Sequence, residues 1–329
     1  TDIASTAEFS ENCREVAWSP GGKDAQLRNV DSGLLKSVLR GHTEGVERVS
    51  FSPVHNIIAT ASRDGTVNLW DSQIGECLTS LKGHTDEAAK IMFSPNGIQI
   101  ATCSGMKVRL WRQKPNVVAT KLASYDVNAV TPPVFSPDGK EVSVGTADDV
   151  VLRYATQSGE ALTPISGYAG IVTCIDYPLL GDMIATGGED KIARIWSREK
   201  GELKLELSGH KNRIACIAFS PCSNYVATGS ADTTICLWSS SLHGPGTILA
   251  GEGGSILCLA YSPDGRFLIS GCETRLMHLW DPSTGALLTT VGDFTAGVKS
   301  IRWKATPGGL FLLTGCDENP LRLWELVEG

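Results

Sequence analysis

Apolar residues along this chain fall in short runs separated by turn residues, the pattern expected of strands in an antiparallel meander. The stretch GHKNRIACIAFSPCSNYVATGSADTTICLW, residues 209–238, shows it in full. It predicts strands over 213–219, 225–229 and 234–238, with turns at Ser220-Pro221 and from Ser230 to Asp232. Four residues stand out against this background. His210, Thr228, Asp232 and Trp238 are the polar or aromatic groups that a small sheet would tie together.

The same pattern recurs along the chain. Predicted first strands end on an aromatic residue at Phe51, Phe93, Phe135, Tyr177, Phe219, Tyr261 and Trp303. Predicted second strands cover 57–62, 99–104, 141–146, 183–188, 225–230, 267–272 and 311–316. Third strands end at Trp70, Trp111, Tyr154, Trp196, Trp238, Trp280 and Trp324, in steps of 41 to 44 residues. Fourth strands follow at 76–81, 117–122, 160–165, 202–207, 246–251 and 286–291, and the seventh unit has none of its own.

A four-stranded sheet of this size cannot bury both faces alone, whereas a ring of them can. The expected fold is therefore all-β: a seven-bladed propeller of four-stranded antiparallel blades over 34–329. Its ring would close when strand 34–39 joins the last blade and covers that blade's edge. Residues 1–33 then form an N-terminal extension. Within it EVAWSP, 15–20, matches a first strand, but Pro20 lies only 33 residues before Pro53, so the unit reads as truncated.

Composition narrows the function. The chain has 329 residues, 42 % apolar and 20 % charged, with a net charge of −7. That balance speaks against a general nucleic-acid binder, which needs a basic surface. No apolar run reaches the length of a membrane span. Ten cysteines without a CxxC pair, and no N-x-S/T sequon, fit a reducing, intracellular setting, cytoplasmic or nuclear. Cys174, Cys216 and Cys258 share one repeat position and read as small core residues.

The period of about 42 residues, GH before the first strand, SP after it and Trp or Trp-Asp at the end resemble the WD40 repeat family. The resemblance spans about 34–326 and is literal for the dipeptide at Trp70-Asp71 and Trp280-Asp281. It implies a hydrogen-bonded structural tetrad, matched in full by His42, Thr60, Asp64 and Trp70 and by His210, Thr228, Asp232 and Trp238. Other units depart. His84, Thr102 and Trp111 lack the acid, and Asp148 and Tyr154 lack the His. Thr186, Asp190 and Trp196 have Tyr168 in the His place, while Ser270 with Trp280 and Thr314 with Trp324 keep only two members. Segments 131–140, 144–154 and 311–329 are also similar to the WD40 tails of fungal NTPase receptors of the NACHT or STAND type. No GxxxxGK[ST] loop accompanies them.

A His, a hydroxyl and an Asp in one unit invite a hydrolase reading. Their recurrence from unit to unit, each time beside a Trp, assigns them to structure instead. No catalytic residue, cofactor or metal site is expected: the histidines show no i, i+4 or H-x-H spacing, and the glycines at 251–254 read as a connection. What remains is the loop face. Alignment of the units places Glu44, Arg63, Asp86, Glu87, Asn128, Glu189, Asn212, Arg213, Glu273 and Asp317 there, six acids against two bases. Such a face would attract a basic protein or peptide. The expected function is a monomeric, non-enzymatic interaction scaffold, and in a NACHT-type context a receptor's regulatory tail. A nucleic-acid-associated WD40 module or a propeller enzyme are the alternatives.

Overall fold

The structure, a computed structural model, describes residues 7–326 except 13, 20, 21, 31, 85–89, 105, 106, 115, 116, 243, 245, 252, 307, 308, 317 and 318. Two compact units divide the chain: 1–143 with 154–162, and 144–153 with 163–329. The architecture is an all-β propeller of eight antiparallel sheets, among the described residues seven four-stranded and one three-stranded. The expected seven blades are thus corrected to eight.

The correction comes from the N-terminal region. Ala7–Phe9, Glu15–Trp18, Ala25–Asn29 and Leu35–Leu39 form a complete four-stranded blade in chain order. Leu35–Leu39 pairs with Ala25–Asn29, with Ala25 opposite Leu39 and Leu27 opposite Ser37. It does not join the last blade, so the expected closure of the ring through this strand is overturned.

The physical marker is Phe9. It lies 42 residues before Phe51, and the same step of 42 then leads through Phe93, Phe135, Tyr177, Phe219 and Tyr261 to Trp303. The Ser that follows explains why this position recurs. Ser10 Oγ accepts from the N–H of Glu15 at 3.0 Å and donates to its carbonyl at 3.1 Å, clamping the first hairpin. Ser94 holds Gln99 and Ser136 holds Glu141 in the same way, while Ser220 and Ser262 accept from the N–H groups of Tyr225 and Phe267. The sequence Trp18-Ser19-Pro20 imitates the phrase, but Trp18 ends the second strand. The Trp18 indole takes the place that a Thr holds in later blades, and Arg28 takes the place of the Trp: Val16 pairs with Arg28 as Ile58 pairs with Trp70.

The second strands are deeply buried, and the core runs from blade to blade inside each unit. One cluster joins Ala17, Leu27 and Leu39 to Val49, Ile58 and Trp70. Another joins Ala185, Ile195 and Leu207 to Ile217, Val226 and Trp238. Close approach requires glycine at one position. A Cβ on Gly229 would sit 2.5 Å from Ile256 Cγ2 and 2.7 Å from Cys216 Sγ. Gly187 and Gly271 meet Ile214 and Val298 in the same way. Cys174, Cys216 and Cys258 therefore pack as small residues under the next blade. Burial pushes the Cys174 and Cys258 thiols up to about 12, which keeps them protonated.

Candidate interaction surface

The recurring polar residues meet inside the blades. Thr60 and Thr228 stand on second strands, and both are fully buried. The Trp70 indole N–H donates to Thr60 Oγ1 at 2.8 Å, and Thr60 lies 2.7 Å from His42 Nε2. The partner of Nδ1 fixes the tautomer. The ionised Asp64 can only accept, so His42 carries its proton on Nδ1 and donates it to Asp64 at 3.0 Å, and Nε2 of the neutral ring accepts from the Thr60 hydroxyl. Asp64 also accepts from the backbone N–H groups of Thr43 and Thr66 at 2.9 Å each. Burial alone would raise its pKa, but the Thr66 hydroxyl and these N–H groups outweigh it and hold the carboxyl at about 2. Burial also lowers the His42 pKa more than Asp64 raises it.

His210, Thr228, Asp232 and Trp238 repeat this geometry at 2.7, 3.0 and 2.8 Å. Glycine before each His is required by the Trp: a Cβ on Gly209 would lie 3.0 Å from the Trp238 ring, and on Gly41 3.2 Å from Trp70.

The incomplete units keep the Trp-to-hydroxyl bond and replace the rest. Trp111, Trp196, Trp280 and Trp324 donate to Thr102, Thr186, Ser270 and Thr314 at 2.8 to 3.0 Å. Where the acid is absent beside His84, the Arg109 guanidinium donates to Nδ1 at 2.6 Å. Beside Tyr168, whose hydroxyl bonds Thr186 at 2.9 Å, Arg194 lies over the ring at 5.3 Å and is paired with Asp190. Phe294, which sequence reasoning missed, packs on Trp324 with ring centroids 5.9 Å apart. Its signal was present, since it stands 84 residues after His210 at the same step. Asp148 is exposed, and Tyr154 stacks on Tyr125 at 3.6 Å.

None of these groups forms an accessible reactive centre. A nucleophile has to reach its substrate, and Thr60 and Thr228 are both sealed in. Among the described residues no group of three or more His, Cys, Asp or Glu could hold a metal.

The loop residues are placed as follows. In the first unit Glu44 is exposed, and the Arg63 N–H bonds Gly45 O at 3.0 Å, which brings these two loops of one blade together. Arg63 is ion-paired with Glu47 and so is not a free charge. Asn128 is exposed. Asp86, Glu87 and Asp317 lie outside the described residues. In the second unit Glu189, Asn212, Arg213 and Glu273 are exposed. Glu189 and Glu273 donate backbone N–H to Ile171 and Ser255, and Ala231 N–H bonds Arg213 O, so loops before the first strand and after the second meet in these three blades.

Two further charges stand on these turns. Lys191 and Arg275 adopt φ of 70°, at the turn position where Gly65 has 76° and Thr233 has 74°. Their side chains are exposed, and Lys191, Lys211, Arg213 and Arg275 form no ion pair among the described residues. The expectation of an acidic face counted none of Lys191, Lys211 and Arg275. Among the described residues of these turns, Lys191, Lys211, Arg213 and Arg275 stand beside Glu189 and Glu273.

Blades of this kind define a WD40-repeat β-propeller. The WD domain, G-beta repeat, matches residues 33–71 and 75–112. The chain belongs to the family described as IFT122 first beta-propeller, which matches residues 129–329. It is 25 % identical over 165 residues to small ribosomal subunit protein RACK1 of Caenorhabditis elegans, covering 47 % of this chain and 50 % of that protein. It is 34 % identical over 119 residues to human coronin-7 (30 % and 13 % covered). It is 33 % identical over 76 residues to THO complex subunit 3 of Arabidopsis thaliana (19 % and 24 %). The chain spans half or less of the length of these relatives. Among solved structures it is similar to the computationally designed Ika8 protein, with a TM-score of 0.83 and 21 % identity over 99 % of this chain and 96 % of that one. That likeness shows the fold. No helix of the described residues is long and apolar enough to cross a membrane.

Proposed function

We propose that this protein is a non-enzymatic interaction scaffold that binds a partner protein or peptide through the loops before the first and after the second strands. The observation that carries the reading is a division of polar groups. The recurring ones are consumed inside the blades, and the non-recurring loop charges Glu189, Lys191, Lys211, Arg213, Glu273 and Arg275 lack ion-pair partners among the described residues. Preformed charges on rigid turns steer encounter and set specificity. Two relatives carry names of assemblies, the small ribosomal subunit and the THO complex, which supports a place in a protein complex. A partner segment of mixed charge fits the second unit's loops better than a purely basic one. The nine free cysteines of the described residues suit an intracellular setting. The receptor-tail reading rests on sequence phrases and finds no counterpart among the relatives above.

The test is co-purification from cells, comparing the wild type with Arg213→Glu and Arg275→Glu. The reading expects specific partners to be lost from both variants while the fold is retained. Partner sets unchanged by both reversals would contradict it.

A further inference from the structure

One position recurs in the turns between second and third strands. Gly65 holds it with φ of 76°, and Lys191, Thr233 and Arg275 hold it with φ of 70°, 74° and 70°. The N–H groups of Gly65, Lys191 and Thr233 bond the carbonyls three residues before them, at Ser62, Gly188 and Ser230. The three turns of the second unit each lie between two paired strands. These are Met183–Gly188 with Ile192–Ser197, Tyr225–Ser230 with Thr234–Ser239, and Leu268–Cys272 with Met277–Asp281. Described strands on both sides therefore set their place at the surface.

A left-handed φ is strained for a residue that carries a Cβ and unstrained for glycine. Gly65 meets the demand of the turn without a side chain. Three consecutive blades of the second unit keep one there, and each is an exposed group that can donate: an ammonium, a hydroxyl and a guanidinium. None of the three side chains has a partner among the described residues. Strain held at a surface position points to a use for the side chain. The copy before them, Asp149 with φ of 60°, is a half-buried acid, so the row of donors begins at Lys191.

The surrounding charges state what such a row can take. The Ala231 N–H bonds Arg213 O, which brings the loop carrying Lys211 and Arg213 to the Thr233 turn. Glu189 and Glu273 stand two residues before Lys191 and Arg275, and Ala231 holds the corresponding place in the middle blade. These two carboxylates, with the net charge of −7, disfavour a continuous polyanion such as nucleic acid. Separate acids along an extended segment suit the row.

We propose that Lys191, Thr233 and Arg275 take up separate carboxylates of an acidic segment of a partner protein, laid across the three consecutive turns. This specifies the partner of the scaffold proposed above and rests on that reading. Lys191 and Arg275 set the preference for acids, and the Thr233 hydroxyl between them donates a further bond.

The probe is a labelled, end-capped peptide of spaced glutamates, EGSEGSEGSE, titrated against the full chain by fluorescence anisotropy at low ionic strength. Saturable binding is expected, and the lysine peptide KGSKGSKGSK should bind at least tenfold more weakly. Lys191→Gly and Arg275→Gly should each weaken the glutamate peptide at least threefold while raising the melting temperature, because glycine relieves the turn. That opposition separates a binding role from a structural one. No saturable binding, or an affinity unchanged in both glycine variants, overturns the proposal. So does an eight-nucleotide oligothymidylate that binds more tightly and is weakened by the same substitutions, because the turns would then serve nucleic acid. Partners lost from Arg213→Glu on co-purification, with no binding of the glutamate peptide, would refute this ligand alone and leave the scaffold standing.

Discussion

The Arg109 guanidinium donates to Nδ1 of His84 at 2.6 Å, in the place where Asp64 accepts from His42 and Asp232 from His210. A cation has replaced an anion, and the imidazole has to turn its proton round. His84 therefore carries hydrogen on Nε2, whereas His42 and His210 carry it on Nδ1. Nitrogen chemical shifts of labelled histidine should separate one tautomer from the other two. Arg109→Met should leave His84 free to change tautomer without moving His42 or His210.

Two aspartates give opposite pH dependence. Asp64 is held at about 2, below its ordinary 3.8, so its contribution is present above pH 4 and is lost as pH falls towards 2. Asp64→Asn should cost roughly 1–2 kcal/mol at pH 7, and the difference should vanish near pH 2. Asp176 accepts the Phe219 N–H at 2.7 Å, yet burial raises it to about 6. Its raised value favours the protonated form, so stability falls as pH rises from about 4 through 6. Asp176→Asn keeps an acceptor for Phe219 and should remove that fall. Denaturant melts across this pH range check both signs.

Gly229 sits where a Cβ would meet Ile256 Cγ2 at 2.5 Å. Gly229→Ala should destabilise by about 1–3 kcal/mol through overpacking. Ile256→Val in the same chain should recover part of that loss. Additive losses in the double mutant would show that the two residues do not press on each other.

Phe9 is 8 % exposed and closes the first strand of a full blade. Phe9→Ala should cost about 3 kcal/mol or more, as for other buried phenylalanines. A truncated, loosely held extension would tolerate the change, and equilibrium unfolding distinguishes the two outcomes.

Most of this fold was legible in the sequence. The aromatic ends of first strands and the Trp ends of third strands located seven blades. The first blade was obscured because Trp18-Ser19-Pro20 carries the phrase of a first strand on a second one, and because Arg28 replaces the Trp. Phe9-Ser10, at the right distance, lacks the following Pro. The polar quartets could be named from spacing, since each member occupies a fixed place on its strand or turn. Compensations such as Arg109 for the missing acid, or Arg194 over Tyr168, could not. They depend on which side chain reaches into a space that another has left. Two loop cations were left out of the sequence reading for a related reason. Lys191 and Arg275 occupy a left-handed turn position that favours Gly, and their exposure follows from that geometry.

The division between recurring polar groups that hold blades and loop charges that remain free is tested most directly by thermal unfolding of two single variants. Thr228→Val strands the Trp238 N–H and the His210 ring in a buried site and should cost about 1–3 kcal/mol, lowering the melting temperature by several degrees. Arg213→Glu should leave it within about a degree, as for an exposed charge without a partner. Equal losses in the two variants, or a larger loss for Arg213→Glu, would contradict the account.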